Sequence, residues 1–350
     1  MKAARLHAYE FQGWHPGPGD RPLVTEEVPE PQLMGHHDVI VRIAGAGLCR
    51  TDLHIIEGIW KDITQPTLPY TLGHENAGYV EDVGDAVTVV QRGDAVICHP
   101  LASCGYCEAC RRGEDMYCTA SYFPGLTADG GFAEYLRTSD RAMVKLAEGI
   151  DPIELAPYAD AGITAYRAAK KAARVLRPGD WAAVIGVGGL GHIGLQCLHV
   201  LSPASVIAVD ASESARELAR TLGAEAVVSG SERVEEVKEK TGGGCQVVMD
   251  FVGELGAEAH SIQMLRQGGT HIVIGYGGTT RVPTIDIIFS EIAIVGSLVG
   301  NYTDLSELMK LNEQGRVRLH ARRYPLDEIN QAISDLDQRK ISGRGVLVPA

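Results

Sequence analysis

From Met1 to about Asp160 the chain alternates short apolar stretches with turns rich in Gly, Pro and Asp; Val39-Ile40-Val41-Arg42-Ile43 is typical. That pattern predicts a region of short strands, with His15–Asp20 as an exposed loop. From about Ala161 to Tyr302 the pattern changes. Apolar runs at 182–185, 206–209, 247–250 and 271–274 alternate with helical segments, of which Ser212–Leu222, mixing Glu, Arg, Ala and Leu, reads as a surface helix. Strand, helix, strand in repetition is the rhythm of a parallel sheet, so this region is expected to carry a doubly wound one and the whole chain to be α/β. After about Thr303 a helical segment and a last strand, Gly345–Val348, are positioned to return to the first region. The expected division is 1–160, 161–302 and a returning 303–350.

Three hundred and fifty residues suit two domains, and a formal net charge of −13 argues against a nucleic-acid partner. The N-terminus lacks an apolar leader and no run is long and apolar enough for a bilayer, so cytoplasmic location, with no membrane partner, is expected. In that compartment eight cysteines read as metal ligands and core thiols rather than disulfides.

Trp181–Gly194 reads W-A-A-V-I-G-V-G-G-L-G-H-I-G. A buried strand runs into Gly186, Gly188, Gly189, Leu190 and Gly191, then into a helix. Such a turn lets the backbone approach a pyrophosphate seated on the helix N-terminus. The next strand ends at Asp210, whose carboxylate can accept from ribose hydroxyls and repel a 2′-phosphate, so NAD is expected over NADP. Arg216 is the nearest base that argues otherwise. His192 and His199, on the following helix, read as packing or surface groups.

Cys104, Cys107, Cys110 and Cys118 fall within one lobe, about 98–120. Four thiolates can close a tetrahedron around zinc and leave no position for substrate, so this metal would be structural. Cys98, Cys197 and Cys245 lie in or beside apolar segments and read as core residues. Cys49, His74 and Asp160 are possible ligands of a second metal, but their spacing alone does not unite them.

Gly73-His74-Glu75-Asn76-Ala77-Gly78, followed by Gly84 and Val87, resembles the zinc signature of the medium-chain dehydrogenase/reductase family. The cysteine lobe, the glycine turn, Asp210 and the closing Gly343–Val346 occur in that family's order, and the resemblance covers essentially the whole chain. It is greatest toward bacterial and archaeal NAD-dependent secondary alcohol dehydrogenases, through Ala159–Thr164 and 184–194. The resemblance implies a GroES-like, β-rich catalytic domain carrying the structural zinc lobe, beside the Rossmann domain. It implies two zincs per subunit, with Cys49, His74 and Asp160 holding the catalytic one. Many relatives have cysteine where Asp160 stands; aspartate leaves a harder, more Lewis-acidic ion. Glu75 is expected to alternate between standing behind the ligands and joining them.

By the same resemblance Thr51 takes the proton of a substrate hydroxyl and passes it on to His54, while Asp52 orients His74. Arg50 and Arg344 approach the pyrophosphate, and Thr164 belongs to the cofactor site. Leu101, Trp60, Phe123 and Leu298 are expected around the substrate. The strand near Ile292–Ser297 is expected to pair across a two-fold axis into a dimer within a tetramer. The activity implied is hydride transfer between small alcohols and NAD, giving aldehydes or ketones. A polyol or amino-alcohol dehydrogenase is the alternative within the family, and a non-catalytic NAD-binding redox sensor the alternative outside it.

Overall fold

The computed structural model describes residues 1–10, 13–17, 19–229 and 233–350. Pro18, in the expected loop, lies outside them. Two compact units are present: Met1–Ala161 with Asn301–Met309 and Leu319–Ala350, and Gly162–Gly300 with Lys310–Arg318.

The first unit is built on strand Asp38–Leu48, eleven residues long and mostly buried. Its neighbours are Glu75–Val83 and Tyr135–Ser139, both antiparallel, with Arg344–Val348 beside its far end. Ala95–Cys98, Met143–Lys145 and Ala321–Pro325 complete a seven-stranded sheet, and Lys2–Leu6, Leu23–Glu27 and Tyr70–Thr71 form a second, smaller one. Register shifts at Ile40/Val41 and Ile43/Gly45 bend the long strand. The packing is close enough that a Cβ on Gly78 would stand 2.1 Å from the Arg42 carbonyl oxygen. Val39, Val41, Ile43, Leu53, Phe132, Ile333 and Leu347 share one core, so strand Arg344–Val348 is bound in by packing as well as by its ladder.

The second unit contains a six-stranded sheet in the order Ala226–Val228, Ser205–Val209, Trp181–Ile185, Cys245–Asp250, Leu265–Val273, Ala293–Gly296, and every pairing is parallel. Numbered along the chain this is 3-2-1-4-5-6, the doubly wound order whose direction reverses between Trp181–Ile185 and Cys245–Asp250. Strands covered on both faces must be apolar throughout, and Ala182–Ile185 and Val206–Val209 are buried residue by residue. The surface helix forms over Glu213–Thr221, with the Ser212 hydroxyl capping it by accepting the Ala215 N–H. Among the described residues no helix is long and apolar enough to cross a membrane.

Candidate functional site

In the cysteine lobe the four sulfurs of Cys104, Cys107, Cys110 and Cys118 lie within 4.8 Å of one another. Cys104 and Cys110 Sγ are 3.9 Å apart, close to the edge, about 3.8 Å, of a tetrahedron with metal–sulfur bonds of about 2.3 Å. The main-chain N–H of Cys107 donates to Cys104 Sγ and that of Cys104 to Cys118 Sγ. Backbone N–H groups of Tyr106 and Cys107 bring the Cys104 thiol down to about 6, whereas burial pushes Cys110 up to about 12. A sulfur set with one thiol already poised as thiolate fits a zinc ion. Asp115, which sequence reasoning missed, ties the lobe together. It accepts the Ser103 hydroxyl (3.3 Å) and the Tyr302 N–H (3.1 Å) and lies 3.6 Å from Arg141. No local motif marks it, because Arg141 and Tyr302 join it from outside the lobe.

The other three cysteines are fully packed: burial pushes the Cys98 and Cys245 thiols up to about 12 and raises Cys197 as well.

The dispersed residues also come together. Cys49 precedes helix Arg50–Ile56, His74 precedes strand Glu75–Val83, and Asp160 precedes helix Ala161–Ala173. Their donor atoms and a Glu75 oxygen lie within 4.8 Å of one another. The chain turns sharply at Gly73, whose φ of +100° favours glycine. His74 is 2% exposed, and neither ring nitrogen has a hydrogen-bond partner, nor does Asp52 Oδ1 or Glu75 Oε2. Carboxylates stand beside the ring without hydrogen-bond alignment: Asp52 Oδ1 is 3.3 Å from Nδ1 and Asp160 Oδ2 3.5 Å from Nε2. Burial alone would drive the His74 imidazolium down, yet Asp52 and Asp160 hold it well above its ordinary value. Buried polar atoms without partners, beside carboxylates that favour positive charge, fit a metal cation, and a set of sulfur, nitrogen and oxygen donors suits zinc.

Glu75 Oε1 accepts from the Ala161 N–H (3.1 Å) and from Arg344 Nη2. Burial raises the Glu75 carboxyl, and the Arg344 guanidinium opposes that rise. Gly47 makes room for this carboxylate, since a Cβ there would lie 2.0 Å from Oε2. Arg344 was expected toward a pyrophosphate; the partner observed is this buried carboxylate. Thr51 and His54 sit on helix Arg50–Ile56. Burial, then the Arg50 charge, brings the His54 imidazole down to about 4. Phe123 meets the His74 ring edge-on at 6.0 Å. Leu101 is half-buried beside His99, Trp60 packs on the core, and Leu298 is exposed in the second unit.

In the second unit Gly186 has a φ of +81°, and a Cβ on Gly191 would stand 1.7 Å from the Gly186 carbonyl oxygen, so the turn closes only with glycine at both places. A Cβ on Gly188 would meet nothing within 4 Å, so one side of the turn is open to an approaching group. Gly189 and Leu190 lead into helix Gly191–Leu201. Asp210 Oδ2 accepts the Val187 N–H (2.7 Å) and Oδ1 the Ser212 N–H (2.8 Å), tying the next strand to the turn. Arg216 is engaged by the carbonyls of Asp210 and Ala211 and by Glu213. Thr164 is buried on helix Ala161–Ala173. An open glycine turn with a carboxylate at the next strand end fits a dinucleotide.

Residues 35–148 match the profile of the alcohol dehydrogenase GroES-like domain, and residues 189–314 that of the zinc-binding dehydrogenases. The alcohol dehydrogenase of the hyperthermophilic archaeon Aeropyrum pernix is similar in structure, with a TM-score of 0.94 and 51% identity over 100% of both chains. The NAD-dependent alcohol dehydrogenase of Sulfurisphaera tokodaii is 34% identical over 94% of this chain and 97% of that one. The D-arabinose dehydrogenase of Sulfolobus solfataricus has a TM-score of 0.81 and 30% identity, covering 93% of this chain and 96% of its own. The chain therefore belongs to the zinc-binding alcohol dehydrogenases, a family of oxidoreductases that pair a GroES-like domain with a Rossmann domain.

Proposed function

We propose that this enzyme is an alcohol:NAD oxidoreductase that converts primary or secondary alcohols to aldehydes or ketones, and the reverse. It would hold one zinc on Cys49, His74 and Asp160, with Glu75 in reserve, and another on Cys104, Cys107, Cys110 and Cys118. The observation that carries this reading is the convergence of sulfur, imidazole and carboxylate donors within 4.8 Å. When bound, zinc supplies Lewis acidity toward an alcohol oxygen and NAD accepts the hydride.

The chain's own residues do the rest. Asp52 Oδ1, 3.3 Å from Nδ1, would accept the Nδ1–H once Nε2 is taken by zinc and so fix the His74 tautomer. Thr51 takes the hydroxyl proton of the alcohol through Oγ1 and His54 carries it outward. Held down to about 4, His54 is neutral at neutral pH and would pass a proton on rather than keep it. Gly186, Gly188 and Gly191 would cradle the pyrophosphate, and Arg50 and Thr164 are read as further cofactor residues. Asp210 selects NAD through the ribose, in keeping with the NAD-dependent relative. The D-arabinose dehydrogenase likeness favours a polyol or sugar as the second reading.

All eight cysteines are free, which supports action in the reducing cytosol. Strand Ala293–Gly296 ends its sheet, and Phe289 of the adjoining segment is 73% exposed, which supports a homo-oligomer, a tetramer first. NADH formation from a panel of primary alcohols, secondary alcohols and polyols tests the reading. Faster turnover of secondary than of primary alcohols is expected; no turnover of any alcohol would overturn it.

A further inference from the structure

Helix Gly191–Leu201 buries two polar side chains one turn apart, His192 and Gln196. Gln196 is fully occupied: Nε2 donates to the carbonyls of His192 (3.0 Å) and Arg318 (2.8 Å), and Oε1 accepts the Arg318 N–H (2.8 Å). His192 Nδ1 lies 2.8 Å from the Gly188 carbonyl oxygen, which also receives the His192 main-chain N–H at 3.3 Å. A carbonyl can only accept, so a neutral His192 ring carries its proton on Nδ1.

The consequence is the polarity of the turn. Gly188 borders the open side, and without a Cβ its peptide has little steric hindrance to rotation. Rotated outward, the carbonyl would present the negative end of its dipole to an anion. Held toward the helix, it sets the N–H of Gly189 the opposite way, because the two groups of a trans peptide are antiparallel. Asp210 already holds another N–H of the turn, that of Val187.

We propose that His192 is a positioning residue for the dinucleotide: its Nδ1–H pins the Gly188 carbonyl so that the turn offers N–H groups to the pyrophosphate. The proposal rests on the reading of this turn as a dinucleotide site. The imidazole acts through the backbone and makes no contact with the cofactor.

Calorimetric affinities of the zinc-loaded enzyme for NADH, ADP-ribose and adenosine test it, with His192→Phe and His192→Asn beside the wild type. His192→Phe keeps a ring without a donor. It is expected to weaken NADH and ADP-ribose about tenfold and to leave adenosine within twofold. His192→Asn retains an N–H donor and is expected to recover most of that loss. Equal weakening of all three ligands would show a merely structural residue and overturn the proposal, as would no weakening at all. Neutron diffraction from wild-type crystals is an arm that needs no variant: a proton on Nδ1 is expected, and a bare Nδ1 would overturn it. A wild type that binds adenosine but neither pyrophosphate ligand would overturn the dinucleotide reading, and the proposal with it.

Discussion

Arg344 and Glu75 are 269 residues apart in sequence and meet as a buried ion pair, Nη2 donating to Oε1 beside Cys49. The last strand of the chain thus supplies the charge that lets a carboxylate stay buried next to the candidate metal ligands. Breaking such a pair from one side leaves an uncompensated charge. Arg344→Met is therefore expected to destabilise the enzyme by about 3–5 kcal/mol. The double variant Glu75→Gln, Arg344→Met is expected to recover much of it. Urea unfolding of all the variants, with metal content recorded, checks this; additive losses would mean that the two side chains do not depend on each other.

The two metal clusters should separate by their readouts. Wild-type enzyme is expected to contain two zincs per chain. Cys110→Ser, in the lobe, should lose one zinc and thermal stability while retaining most turnover. Cys49→Ser should lose the other and reduce turnover at least ~100-fold, because that metal would carry the Lewis acidity. Metal analysis beside NADH formation decides it. A fully active wild type with one zinc per chain would remove one of the two assignments.

The sequence is uneven in what it discloses, for physical reasons. The cysteine lobe and the glycine turn are local: their residues lie within a few turns of chain, and neighbours in sequence must be neighbours in space. The parallel order of the second unit follows from its continuous apolar strands, which only a sheet covered on both faces requires. Cys49, His74 and Asp160 are scattered, and only a resemblance groups them before a structure brings their donor atoms together. Asp115 is not singled out by the sequence and His192 reads there only as a packing or surface group, because a buried acid and a helical histidine have no signature until their partners are known. Tyr302 comes from 187 residues beyond Asp115. The Gly188 carbonyl is close to His192 in sequence, yet the ring's orientation toward it depends on how the turn folds.

Charge burial at His54 sets an acid limit. Its imidazole is brought from 6.5 to about 4, chiefly by burial and then by Arg50. Below pH 6.5 the unfolded chain binds this proton more readily than the folded one, so stability falls with pH until about 4 and no further from this group. The full effect is roughly 3 kcal/mol. His54→Gln should flatten that part of the stability profile, measured by denaturant unfolding between pH 4 and 7. An unchanged profile would show that His54 is not held neutral.

The exposed edge of the second unit makes the remaining prediction. Among the described residues strand Ala293–Gly296 is paired only with Leu265–Val273, and Ile294 on it is exposed. Ile285, Ile288 and Phe289 on helix Thr284–Ser290 are exposed as well. A sheet edge beside an apolar surface invites pairing with a second copy, because an edge strand is satisfied by another strand and the apolar side chains leave water together. Ile294→Lys with Phe289→Asp should place charges where that contact would form, and the assembly should fall to smaller species without loss of fold. Light scattering gives the mass and circular dichroism checks the fold. A wild type that is already monomeric, or a variant whose mass is unchanged, would mean that this edge is not the contact.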